Sequence, residues 1–170
     1  MNKGKAKLYI ADLLLLFLFV AVDQFTKYLA VLKLKGQPDV PIIDNVLTLQ
    51  YLENYGAAFG LLQNQKTFFI ISASLFLCLI LFVIIKMPNS PKYHHSHLLL
   101  VAVAAGAAGN LLDRVRLGYV VDFVYIELIN FPIFNVADMY VTFSAALIAV
   151  QILFVFEDED LAFLFSKKQS

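Results

Sequence analysis

The chain has 170 residues, 61% of them hydrophobic, and its 13 basic and 13 acidic side chains cancel. Soluble domains hold about 45–50% apolar residues, so this is a polytopic membrane protein, and its length allows a single membrane domain. Zero net charge excludes the basic footprint of a nucleic-acid binder, and a lone cysteine, Cys78, excludes an internal disulfide.

Lys3, Lys5 and Lys7 precede an apolar run from Leu8 to Val22. No small-residue cleavage signal follows; Asp23-Gln24-Phe25-Thr26-Lys27 does, which marks an uncleaved transmembrane helix over about residues 8–27. Asp12 interrupts its inner end as a snorkelling or partnered residue. A long polar connection follows, with Gly36, Pro38 and Pro41. Within it, residues 46–52 are rich in β-formers and read as a strand. Asn54-Tyr55-Gly56-Ala57-Ala58-Phe59-Gly60 comes next, with glycines that permit close backbone approach.

A second helix is expected over about residues 67–86, long enough to cross about 30 Å of hydrocarbon. Cys78 within it reads as a small buried hydrophobe, and Phe68, Phe69, Phe76 and Phe82 as lipid-facing or packing residues. The turn around His94, His95 and His97 reads as a solvated loop beside headgroups in preference to a metal site. A third helix, about 98–113, is rich in Ala and Gly and suited to close packing. The connection after it carries a β-like run, residues 119–126, on a flexible apolar loop holding Asp122. A fourth helix spans about 135–156, and Glu157 to Asp160 read as its solvated exit. The fold class is thus an all-α membrane protein, one polytopic domain of four transmembrane helices with a small extracytoplasmic β-rich loop platform.

Four spans put both termini on one side. The basic residues divide almost evenly between the two sides, so the Lys3–Lys7 leader sets the orientation, with both termini cytoplasmic. Asp23, Asn54, Asp113, Arg114, Asp122, Asn135 and Asp138 then fall together at the extracytoplasmic face by span counting alone. Ionisable groups there are costly and mark function by default. Asn110, Asp113 and Arg114 share a helical face, as do Asn135 and Asp138; Asp23 can pair with Lys27 one turn on.

Elimination narrows the chemistry. A Ser or Cys nucleophile needs a neighbouring base, and all three histidines lie across the bilayer. No HExxH or Cys/His zinc pattern is present, so neither metal nor cofactor is implied. Two carboxylates that share a proton remain, one to activate water and the other to hydrogen-bond the scissile carbonyl. Asp113 beside Arg114, and Asp23 beside Lys27, read as structural ion pairs. Asp122 and Asp138 are the better dyad. A proton- or cation-coupled transporter is the rival, and a purely structural membrane subunit a second. The absence of an inverted repeat and the confinement of the cluster to one face argue against transport.

These segments resemble the five motifs of the lipoprotein signal peptidases, the type II signal peptidases of bacteria. Residues 23–27, 54–60, 106–114, 121–123 and 134–138 carry them in order, over roughly residues 8–156. The resemblance implies a membrane aspartic endopeptidase of the bacterial inner membrane with catalytic Asp122 and Asp138. It implies supporting roles for Asp23, Lys27, Asn54, Gly56, Asn110, Asp113, Arg114 and Asn135. It further implies prolipoprotein substrates with a diacylglyceryl cysteine, cut just before that cysteine, and inhibition by globomycin. A monomer in contact with membrane lipid is expected, with the Asp122 loop acting as a lid.

Overall fold

The computed structural model describes residues 3–57 and 61–165. The chain runs α1 (Lys3–Leu34), β1 (Val40–Ile43), β2 (Leu47–Asn54), α2 (Lys66–Lys86), α3 (His94–Arg116), β3 (Val120–Ile126), α4 (Val136–Phe154) and α5 (Asp158–Phe165). Among the described residues, α1, α2, α3 and α4 are long and apolar enough to cross a membrane. They differ in environment. Half of the apolar stretch of α3 is buried, against 6% of α2 and 11% of α1 and α4. The Ala- and Gly-rich α3 is therefore the central helix, and the other three pack around it with their Leu, Ile and Phe side chains facing outward. Small side chains let backbones approach closely where burial of apolar surface gives no driving force between helices.

The helices exceed the expected lengths where tertiary contacts extend them. α1 continues past Lys27 because Ala30 and Leu34, one turn apart, are buried against Val121 of β3. α3 starts at His94, so the histidines form its first turn and not a loop. His94 and His95 are exposed, whereas His97 is buried with its Nδ1 3.3 Å from Asp12 Oδ2. Asp12 is thus a partnered residue. Cys78 is exposed on the outer face of α2, so the expectation of a buried hydrophobe fails: a helix that touches neighbours on one side only leaves most of its apolar residues to lipid. Phe68, Phe76 and Phe82 face outward as expected.

β1, β2 and β3 form an antiparallel sheet in that order at one end of the bundle. β1 escapes the sequence reading because Pro41 interrupts an apolar run of only four residues, which then looks like a connection; Pro is tolerated on an edge strand. Asn45 closes the β1–β2 turn in the left-handed region, φ 57°, which Asn adopts readily. At the opposite end, Glu157–Asp160 do not simply fade into solvent. They begin α5, where Asp160 Oδ2 accepts from the Glu157 N–H and pairs with Lys92. Tyr93 then meets Phe156 at a tilt and Phe163 edge-on. Ala58, Phe59 and Gly60 of the second motif, and Lys167 and Lys168, lie outside the described residues.

Candidate active site

The polar residues converge where the sheet meets α1, α3 and α4. Lys27 is the hub. Its ammonium lies 3.0 Å from Asp23 Oδ2 and 3.0 Å from Asp113 Oδ2, and donates to Asn110 Oδ1 at 2.8 Å. Three acceptors match its three donors, and the side chain is 3% exposed. The Asp23–Lys27 pair is as expected. The Asp113–Arg114 pair is not. Asp113 turns inward to Lys27 and accepts from the Val121 N–H at 3.2 Å, tying α3 to β3. Adjacent residues on a helix point about 100° apart, so Arg114 leaves in another direction. It donates to Gly56 O at 3.3 Å and lies 4.7 Å from the Phe69 ring centre.

Asp23 is fully buried and has a second task. Its Oδ1 accepts from the Ala137 N–H at 3.0 Å, and Oδ2 from Gln24 Nε2 at 3.2 Å. Gln24 also reaches Asp113 Oδ1 at 2.9 Å and Gly109 O at 3.3 Å. The sequence reading omitted Gln24 from the site; its place beside Asp23 was the available signal.

Asp138 stands in the first turn of α4 in a reciprocal cap. Asn135 Oδ1 accepts from the Asp138 N–H at 3.0 Å, and Asp138 Oδ2 from the Asn135 N–H at 3.2 Å. This cap satisfies two otherwise orphaned donors and pins the Asp138 side chain. The spacing Asn-x-x-Asp before an apolar run is thus a capping signature as well as a shared face.

Asp122 lies within β3, opposite Leu52 of β2, and is 1% exposed. The loop expected to carry it is a paired strand, because residues 120–126 complete a sheet whose other strands lie far back in the chain. Asn54 Nδ2 donates to Asp122 Oδ2 at 2.8 Å, and Asn135 Nδ2 to Asp122 Oδ1 at 2.6 Å. Burial first, and then the neighbouring Asp138 carboxylate, push Asp122 up to about 7.

Asn110 links the groups. Its Oδ1 accepts from Lys27 and, at 3.1 Å, from Asn135 Nδ2. Two donors on the oxygen leave its Nδ2 to donate to Asp138 Oδ1 at 2.8 Å. Asp122 and Asp138 line one cavity of about 340 Å³, together with Asn54, Gly56, Phe69, Arg114 and Thr142. A side chain at Gly56 would meet Leu61 O at 2.5 Å, so only glycine fits that wall. An apolar cavity of about 430 Å³ adjoins it and shares Asp138 and Phe134. Such an arrangement can hold a water between two carboxyl groups whose orientations are set independently, one by a strand and one by a helix cap.

The sequence profile of the family described as signal peptidase (SPase) II matches residues 15–154. A lipoprotein signal peptidase of Caldanaerobacter subterraneus subsp. tengcongensis is 42% identical over 136 residues, which cover 79% of this chain and 90% of that protein. One from Clostridioides difficile is 39% identical, with 84% and 94% covered. Among solved structures, a bacterial membrane enzyme determined by the in meso method at 2.3 Å aligns with a TM-score of 0.76 and 30% identity, covering 94% of this chain and 93% of its own. A second, at 1.9 Å, gives 0.74 and 32%, with 86% and 94% covered.

Proposed function

The chain belongs to the signal peptidase II family, and on that footing we propose that it works as an aspartic endopeptidase, with Asp122 and Asp138 as its dyad. It is a multi-pass protein of the bacterial inner membrane and a peptidase that removes the signal peptides of prolipoproteins. The transporter alternative finds no support in the relatives it resembles.

One observation carries the dyad: of the aspartates in the cluster, only Asp122 and Asp138 line the cavity, while Asp23 and Asp113 are engaged behind it by Lys27. The pair shares a proton. The ionised member takes a proton from water as its oxygen attacks the scissile carbonyl; the protonated member hydrogen-bonds the carbonyl oxygen and then delivers its proton to the leaving amine. Asn54, Asn110 and Asn135 hold the two carboxyl groups in register, and Arg114 and Gly56 shape the opposite wall.

The substrate is a prolipoprotein whose cysteine carries diacylglycerol, cut immediately before that cysteine. The apolar cavity beside Asp138, walled by Val124, Ile126, Met139 and Phe143, suits acyl chains drawn from the surrounding lipid. The Lys3–Lys7 leader favours cytoplasmic termini and an extracytoplasmic site, and globomycin is expected to occupy the same cavity. The test is cleavage of one purified prolipoprotein with and without its diacylglyceryl group. Loss of signal peptide from the lipidated form alone is the expected result; equal cleavage of both forms would remove the lipid from the recognition scheme.

A further inference from the structure

A second hollow, of about 430 Å³, adjoins the aspartate cavity on its sheet side, with Asn54 and Pro132 in both walls. Gln50, Glu53, Gln63, Tyr125 and Asn130 set polar groups among apolar ones in its wall, where the apolar cavity beside Asp138 offers few. The dyad therefore lies between an apolar compartment and one that mixes polar with apolar groups.

The polar hollow is built by local irregularities. Between the pairs Leu49↔Val124 and Leu52↔Asp122, two residues of β2, Gln50 and Tyr51, oppose the single Phe123. Such a bulge bends the strand and re-aims a side chain, and bulges are frequent beside active sites. Tyr125 OH donates to Asn130 Oδ1 at 2.8 Å, and Asn130 takes φ 48° after the turn that ends β3. Amide side chains both donate and accept, which is what an extended peptide backbone requires when it leaves water.

Resting on the peptidase reading above, we propose that this hollow is the subsite for the first residues of the mature chain, those that follow the lipidated cysteine. The substrate branches at that cysteine into three arms. The signal helix and the acyl chains are apolar and stay with lipid. The mature chain is the polar arm, and its N–H and C=O groups need partners once they are desolvated at the cut site. Of the two compartments beside the dyad, only this one offers such partners.

Two lipidated substrates test the subsite, one ending in the cysteine as its amide and one extended by Ser-Ser-Asn. The wild type is expected to cleave the extended form with about tenfold higher kcat/KM, since contacts remote from the bond accelerate its cleavage. Gln50→Trp, which fills the hollow, is expected to erase that advantage and leave cleavage of the short form unchanged. Equal cleavage of both forms by the wild type, or an equal loss on both in Gln50→Trp, would overturn the subsite. Cleavage of neither by the wild type would instead overturn the peptidase reading, and the subsite with it. Should Gln50→Trp not fold, a photoreactive residue placed directly after the cysteine and bound to the Asp122→Asn protein decides. Cross-links to residues 47–54 or 120–130 are expected, and cross-links confined to α1 or α2 would contradict the proposal.

Discussion

At the scale of single residues, the site is a set of side chains whose orientations are dictated by neighbours. Asn110 is the clearest case, because Lys27 and Asn135 both donate to its oxygen and so aim its Nδ2 at Asp138. Asn110→Ala is expected to lower kcat by about 10²-fold with little change in KM, the scale of a misplaced catalytic group; steady-state kinetics on lipidated substrate read this directly. Lys27→Met strands two buried carboxylates and is expected to cost about 3–5 kcal/mol, measured as a fall in the thermal midpoint in detergent. Asp122 gives a dependence on pH. Burial and Asp138 push it up to about 7, whereas the unfolded chain releases the proton near the ordinary aspartate value. Between those values the folded state binds more protons, so stability falls as pH rises from about 4 to about 7. Asp122→Asn is expected to flatten that decline. Activity in the wild type is expected to drop as pH passes about 7 and Asp122 loses its proton. The polar identities, Gln24 apart, were legible in the sequence. Their pairings were not: Arg114 is adjacent to Asp113 in sequence but points away, and Lys27, in another helix, takes Asp113.

At the scale of elements, the site depends on how closely α3 meets α1 and α4. A Cβ at Gly109 would stand 2.3 Å from Asp23 Oδ2, and one at Gly106 2.4 Å from Ala137 O. Gly109→Ala must push α1 and α3 apart at the point where Asp23 holds the start of α4. It is expected to cost about 1–3 kcal/mol, as overpacking does, and to depress cleavage more than Gly106→Ala does; thermal midpoints and kcat measured on both variants check the order. Hydropathy revealed all four spans, because a run of apolar residues is a local property. It underestimated α1 and α3, whose extra turns are held by contacts distant in sequence. It also cast residues 120–126 as a loop, although their β-forming composition was noted, because the partner strand lies some seventy positions earlier. With Asp122 in a paired strand, a lid built on that segment has no structural basis, and any closure over substrate falls to other parts of the site.

At the scale of the whole molecule, the two ends of the bundle are polar in different ways. The sheet end gathers the cluster around Lys27, Asp122 and Asp138. The far end buries Asp12 against His97, the latter 1% exposed. Breaking that pair by Asp12→Asn is expected to lower the thermal midpoint while kcat stays unchanged, since nothing links it to the dyad. Counting spans was enough to place the cluster at one end, and composition was enough to place the chain in a membrane. The central account, that Asp122 and Asp138 together perform hydrolysis while Asp23 and Asp113 hold the scaffold, is tested most directly by one kinetic comparison. Cleavage of lipidated prolipoprotein is measured for the four single Asp→Asn variants, each first shown to keep its fold by thermal melting. The account expects Asp122→Asn and Asp138→Asn to fall by about 10³-fold or more, the scale of losing one member of a catalytic unit, and Asp23→Asn and Asp113→Asn to retain measurable turnover in proportion to their stability. Full activity in a folded Asp122→Asn or Asp138→Asn protein would contradict it.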